Sequence, residues 1–204
     1  KGAQNGILIK NGEYLEKAHE LRSVVFDKTG TLTVGAPSLT DVIALPDFSE
    51  AQVLRYAAIA EVGSEHPLGE AIVRGARDKG MPVDGPEEFQ AIPGHGVRAS
   101  FKAQQVLLGN RKLMQDNGLR AEDWESKLQS LEEEGKTAML VAVDKRLAGI
   151  VAVADTLKET AGEAVNRLQR MGIEVTMLTG DNKRTANAIA KKLGVNGVLA
   201  AVSY

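Results

Sequence analysis

The chain has 204 residues, 43% hydrophobic and 25% charged, with a formal net charge of −2, which suits one large globular domain or two small ones. There is no basic excess to neutralise a phosphate backbone, and aromatic residues make up only 4%, so nucleic acid is not expected as a partner. The absence of cysteine excludes disulfides and thiolate metal sites, and no apolar run approaches the ~20 residues of a membrane-spanning helix.

In chain order, Lys1-Gly2-Ala3-Gln4 lacks the design of a signal peptide, and the polypeptide by itself is expected to be soluble. An amphipathic run follows, from Gly6-Ile7-Leu8-Ile9-Lys10 to Leu21. Ser23-Val24-Val25-Phe26 reads as a buried strand that delivers Asp27 to its C-terminal end. Beyond Pro37 the grammar changes. Ser49-Glu50-Ala51-Gln52 is a capping box opening a helix to about Val62. Pro67 suits the first position of a second helix, ending near Gly80. Two strands flank Gly94-His95-Gly96, and Val106-Leu107-Leu108 leads into Gly109-Asn110. An acidic helix over 122–134 precedes a hairpin, with strands 137–143 and 146–153 and a turn at Asp144-Lys145.

From about residue 150 the pattern returns to strand and helix in alternation. A helix is expected over 157–171, stopping at Gly172, then a strand over 173–178 followed by Thr179-Gly180-Asp181. A helix over 185–193 stops at Gly194, and a last strand is expected over 198–202. This is βαβ grammar and implies a parallel sheet. The organisation expected is an α/β domain in two parts, 1–36 and 150–204, with an α+β domain over 37–149 inserted after the first strand.

A carboxylate at the tip of a parallel strand lies where such sheets bind ligands. Lys28-Thr29-Gly30-Thr31-Leu32-Thr33 supplies hydroxyls, a flexible glycine and backbone amides that can cradle a phosphoryl group. Thr179-Gly180-Asp181 would bring a hydroxyl and a second acid from a neighbouring strand, with a helix N-terminus behind it. Nucleophilic carboxylate, phosphate donors and acids for Mg²⁺ together describe an aspartyl-phosphate site. A lone Asp at a strand end would more simply cap a loop; the contiguous motif and the second strand tip favour chemistry.

Asp27-Lys28-Thr29-Gly30-Thr31-Leu32-Thr33 resembles the phosphorylation motif of P-type ATPases, members of the haloacid dehalogenase superfamily. The resemblance implies that Asp27 is phosphorylated by ATP, with Thr29 helping to bind Mg²⁺ and phosphate, and that the fold is a haloacid-dehalogenase-like (Rossmann-like) parallel sheet with an inserted nucleotide-binding domain. Related phosphatases carry a second Asp two residues after the nucleophile; here that position is Thr29. Loss of a general base typically costs 10²–10⁴-fold, which argues for a persistent phosphoenzyme and against a plain phosphatase.

Ser64-Glu65-His66-Pro67 resembles the Ser-Glu-His-Pro motif of the heavy-metal-transporting branch. That branch implies a nucleotide site built from Glu61, His66, Gly94, Gly96, Gly109 and Asn110, with Glu61 and His66 at the adenine and the glycines near ribose and phosphates. Each residue has a plainer reading: His66 as a helix cap, Gly94-His95-Gly96 as a turn, Glu61 as a solvated helix residue. His19 and His95 read as surface or packing residues. Asp155-Thr156-Leu157-Lys158 resembles the stretch where the chain re-enters the phosphorylation domain, with Asp155 orienting nucleotide or hinge, or else capping a helix.

The resemblance implies a parent protein with a transmembrane domain and its own metal-binding regions, this region lying on the cytoplasmic face, and a transported ion, most similar to copper(I), bound elsewhere. The family's later lysine and Gly-Asp-Gly-x-Asn-Asp segment do not occur before Tyr204, so truncation and impaired autophosphorylation are expected. A module that only binds nucleotide, or a phosphatase of the same superfamily, are the alternatives.

Overall fold

A computed structural model describes residues 2–202 of the chain. Helix α1 (Gly12–Lys17) is short and is capped by Asn11, whose side chain accepts from the Tyr14 amide. It leads to strand β1 (Ser23–Asp27) and the loop Lys28–Leu32. Strand β2 (Ser38–Ala44) follows, then helices α2 (Glu50–Glu61) and α3 (Pro67–Asp78). Strands β3 (Glu88–Ile92), β4 (Gly96–Phe101) and β5 (Gln104–Gly109) come next. Helices α4 (Arg111–Asp116) and α5 (Glu125–Glu133) precede the hairpin of β6 (Thr137–Val143) and β7 (Arg146–Ala154). Helix α6 (Ala161–Arg170), strand β8 (Glu174–Leu178), helix α7 (Lys183–Leu193) and strand β9 (Gly197–Leu199) complete the order.

The strands form two sheets. One is parallel, in the order β1-β8-β9. A strand order that advances in one direction through crossovers of one hand puts both helices on the same face. Accordingly Val165 of α6 and Ile189 and Leu193 of α7 share one core with Val175 and Met177 of β8. The register sets Asp27 opposite Leu178, so the residues after both strands emerge at the same edge.

The second sheet has six antiparallel strands in the order β2-β7-β6-β5-β4-β3. Adjacent apolar residues point to opposite faces of a strand, and both faces are used here. Leu108, Val141 and Val151 pack with Val53, Leu54 and Ile72 of α2 and α3. Leu107, Leu140 and Ile150 pack with Leu113, Met114, Leu128 and Leu131 of α4 and α5. This is the α+β unit interrupting the parallel sheet between β1 and β8.

The capping box at Ser49 and Gln52 and the proline at the start of α3 are both present. The hairpin turn at Asp144-Lys145 has φ of 46° and 62°, the left-handed pair of a two-residue turn that follows strand twist. Three expectations need correction. The helix expected over 157–171 begins at Ala161, because Leu157 pairs with Thr33 and the Lys158 amide donates to the Leu32 carbonyl. The strand expected over 198–202 ends at Leu199, since Ala201 turns with φ of 57° and its amide donates to the Asp181 carbonyl. The acidic helix over 122–134 is a 3₁₀ turn at Glu122–Trp124 followed by α5. Only 12–17 of the N-terminal run is α-helical, with Ile7, Leu8 and Ile9 exposed. Among the described residues no helix is long and apolar enough to cross a membrane.

Candidate active site

Asp27 ends β1 with its side chain exposed, while Lys28, the next residue, turns inward and is buried. The register explains the partner of Lys28: Lys28 is one residue past Asp27, Asp181 is three past Leu178, and Lys28 Nζ lies 2.6 Å from Asp181 Oδ2. Both side chains are nearly removed from water, where an ion pair persists only if its remaining bonds are also satisfied. They are. The Thr179 hydroxyl donates to Asp181 Oδ2 and the Thr137 hydroxyl, from β6, donates to Asp181 Oδ1, each at 3.1 Å. Gly180 stays exposed between Thr179 and Asp181.

The loop after Asp27 is clamped from below. Gly30 adopts φ of 75°, a conformation glycine takes without steric cost, which lets its amide donate to Thr33 Oγ1. Thr33 is fully buried and donates its hydroxyl to Asp155 Oδ2 at 2.5 Å. Asp155 also accepts from the amides of Gly35 and Ala36. Lys158 Nζ donates to the Gly30 carbonyl at 2.7 Å. Asp155 therefore staples the two linker segments together, and the cap of α6 is Thr160, not Asp155. Thr29 remains exposed beside Asp27. The result is a clamped loop that leaves the Asp27 carboxylate and the Thr29 hydroxyl on exposed residues. Helix α7 starts directly behind Thr179-Gly180-Asp181, adding the positive end of its dipole.

A second cluster lies in the inserted domain, where α2 passes to α3. Glu61 is 6% exposed and its Oε2 is buried with no hydrogen-bond partner. Burial pushes its carboxyl above the ordinary range, offset only in part by Ser64. Such an orphan acceptor is costly. The space it occupies exists because residue 69 is glycine: a Cβ there would lie 2.3 Å from Oε2. His66 caps α3, its Nδ1 accepting from the Leu68 amide at 3.2 Å. The neutral ring therefore carries its proton on Nε2, leaving an exposed donor.

The glycine pairs interlock. A Cβ on Gly96, whose φ is 140°, would meet the Leu108 carbonyl at 2.1 Å, and one on Gly109 would meet the His95 carbonyl at 2.2 Å. Asn110 closes the junction: its Nδ2 donates to the Gly94 carbonyl, its backbone amide to the His95 carbonyl, and its Oδ1 caps α4. Its side chain is thus spent on holding the Gly94–Gly96 loop. Lys28, Thr179 and Asp181 come together, as do Gly94, Gly96, Gly109 and Asn110; among the described residues no hydrogen bond joins the two groups. Thr137 and Lys158 lie outside the expected site residues, and Thr33, expected among the phosphate-cradling hydroxyls, is instead buried against Asp155. No local pattern marks Thr137, whereas Thr33 lies inside the motif and Lys158 ends the Asp155-Thr156-Leu157-Lys158 stretch.

The fold agrees with the comparisons. The haloacid dehalogenase-like hydrolase family matches residues 21–204, and the chain belongs to it. Over 202 residues, 99% of the chain, it is 48% identical to a copper-exporting P-type ATPase of Bacillus subtilis (strain 168), spanning about a quarter (25%) of that relative's length. Among solved structures it is similar to a zinc-transporting PIB-type ATPase in the E2.Pi state, with 36% identity and a TM-score of 0.71 over 98% of this chain and 32% of that one. It is also similar to the N-domain of a copper-transporting P-type ATPase, at 28% identity and TM-score 0.50 over 58% of this chain and 99% of that domain. An isolated N-domain thus has a counterpart inside this chain.

Proposed function

We propose that the chain is the catalytic region of an ATP-driven heavy-metal transporter of the P type, in which Asp27 takes the terminal phosphoryl group of ATP. The observation that carries this is the exposed Asp27 carboxylate at the C-terminal edge of the parallel sheet, set in an Asp-Lys-Thr-Gly-Thr loop clamped from behind. Copper as the cargo, a transmembrane domain as the partner and a cytoplasmic-face location rest on the likeness to the copper exporter, of which this chain spans a quarter (25%).

In this reading an Asp27 oxygen attacks the γ-phosphorus, the bond to the ADP oxygen breaks, and an acyl phosphate forms on Asp27. Lys28 does not neutralise the nucleophile, because Asp181 holds its ammonium. The start of α7, the positive end of its dipole, follows Asp181 at the same sheet edge and favours the added negative charge. Asp27 and Thr29 offer hard oxygen donors, a small set that suits Mg²⁺, which commonly binds through one or two carboxylates, waters and substrate phosphates. When bound there, Mg²⁺ neutralises charge on the transferring phosphoryl group. Thr29 cannot act as a general base, so the acyl phosphate persists instead of being hydrolysed at once, which favours a pump over a phosphatase.

Nucleotide recognition falls to the inserted domain. The unpaired Glu61 Oε2 suits an amino donor on a purine edge, and the Nε2–H of His66 suits an acceptor. Asn110 contributes by fixing the glycine loop. Titrating a non-hydrolysable ATP analogue against the wild type and His66→Ala tests this. Saturable binding weakened about tenfold or more (~1.4 kcal/mol) in the variant supports the reading. No binding by the folded wild type overturns it. Hydroxylamine-sensitive label from ATP that disappears in Asp27→Asn is the corresponding result for phosphoryl transfer.

A further inference from the structure

A charged cluster that begins at the residues following Asp181 and Asn110 joins the inserted domain to the parallel-sheet domain. Glu132, on α5, is 1% exposed. Its Oε1 accepts from Arg111 Nη1 at 2.6 Å and from Asn182 Nδ2 at 3.1 Å, and its Oε2 accepts from Arg111 Nη2 and Arg184 Nη1, each at 3.2 Å. Glu125, one helical repeat earlier on the same face, takes Arg111 Nε at 2.6 Å and Arg184 Nη1 at 3.0 Å. Arg111, Glu125 and Glu132 belong to the inserted domain. Asn182 and Arg184 stand at the start of α7 in the other.

The charges balance only when the domains are docked. Two carboxylates face two guanidiniums, and withdrawing Arg184 leaves one net negative charge around a carboxylate that is now buried. That carboxylate would regain water as the faces part, which offsets part of the cost of separation. Arg111, which grips both glutamates from within the inserted domain, keeps the seat formed in either state. The rest of the interface is mostly polar: the Thr185 hydroxyl donates to the Lys136 carbonyl at 2.8 Å, Lys192 Nζ to the Glu134 carbonyl at 2.6 Å and the Thr137 hydroxyl to Asp181 Oδ1 at 3.1 Å, with Ile189 lying beside Gly135. The covalent connection is two linker segments held together by Asp155 and by the Val34 amide, which donates to the Thr156 carbonyl at 2.8 Å. A stapled pair of strands beside a polar interface is the anatomy of a hinge.

We propose that Glu125 and Glu132 are the seat of an electrostatic latch into which Arg184 and Asn182 dock, holding the two domains together, and that releasing them lets the inserted domain swing on the linker. The latch reports to the loop after Asp27. Asn182 caps α7 immediately after Asp181, and Thr137, which donates to Asp181, comes from the inserted domain. Opening therefore withdraws one hydrogen bond from the residue that holds Lys28. The proposal rests on the interface and holds whatever reaction the site performs.

The chain contains no cysteine, so exposed Asp84 and Arg167, one in each domain, can be replaced (Asp84→Cys, Arg167→Cys) and labelled for single-molecule energy transfer. The wild type is expected to show one dominant short-distance population. Arg184→Glu sets a third negative charge against the seat and is expected to raise the extended-to-compact ratio by at least about tenfold (~1.4 kcal/mol). Arg184→Ala is expected to raise it less, and Arg184→Lys least. Arg184 is exposed at the helix start, and Glu125→Gln perturbs the same contact from the other domain. Unchanged distances in both Arg184→Glu and Glu125→Gln, or a wild type already mainly extended, would overturn the latch.

Discussion

Replacing Asp181 by alanine tests whether the buried pair organises the loop after Asp27. Asp181 is the acceptor for Lys28, Thr179 and Thr137, and the Lys28 side chain is only 11% exposed. Removing one partner of a buried pair strands the other charge, at a cost of about 3–5 kcal/mol. Lys28 has a four-carbon stem and can swing toward solvent, so the low end, ~3 kcal/mol, is expected. Trp124 is the single tryptophan and lies in the inserted domain, so its fluorescence does not report the parallel sheet. Hydrogen exchange at the Val175 and Met177 amides does, because β8 is the central strand. With exchange tracking stability, ~3 kcal/mol is roughly a hundredfold acceleration there, with little change in the Trp124 unfolding midpoint. Adding Lys28→Met should restore part of the protection, since the stranded charge is then gone. Acceleration of less than about threefold would refute the reasoning: the ammonium would then be rehydrated at almost no cost, and the pair would not hold the loop.

Gly96→Ala should unfold or severely loosen the inserted domain, because its Cβ would meet a backbone carbonyl at 2.1 Å at a φ of 140°; a Trp124 unfolding midpoint unchanged from wild type would contradict this. Glu61→Gln should stabilise the inserted domain at pH 7 by about 1 kcal/mol, since it removes a buried charge lacking a partner, while weakening ATP-analogue binding. Its folded carboxyl sits above the ordinary 4.5, so the penalty on the wild type is present above that raised value and fades as pH falls toward 4.5. The stability gap between wild type and Glu61→Gln should close over the same range. Glu125 is held at about 2, against an ordinary 4.5, chiefly by its bond to Arg111. Its stabilising contribution is therefore complete above pH 4.5 and lost as pH falls toward 2; because Arg111 lies in the same domain as Glu125, the Trp124 unfolding midpoint of the inserted domain should fall over that interval and not above it.

Several elements were readable because their causes are local. The Ser49–Gln52 box, Pro67 at the start of α3 and Gly194 in the left-handed position after α7 each fix a helix end within a few residues. Strand β2 leaves no clear signal in the sequence, because its apolar positions are irregular and its pairing with β7 shifts between Leu39 and Asp41. Helix α4 has six residues, too few for a periodic signal. It exists because Asn110 caps it and Leu113 and Met114 are buried under β5 and β6. Helix α6 starts later than the helical spacing from Leu157 suggests, because Leu157 and Lys158 are taken up by pairing with the other linker segment.

By itself, the sequence determined the family resemblance, the βαβ framework with its insertion, and the expectation of an acid at a strand tip, because each is written in contiguous residues whose chemistry or turn geometry is self-contained. Only the tertiary structure decided that Lys28 faces Asp181, that Thr137 reaches Asp181 from the other domain, that Asn110 serves the glycine loop and that Glu132 is buried against Arg184. Those pairings join residues far apart in the chain, and they arise from strand register and domain docking, which long-range packing sets and local pattern does not record.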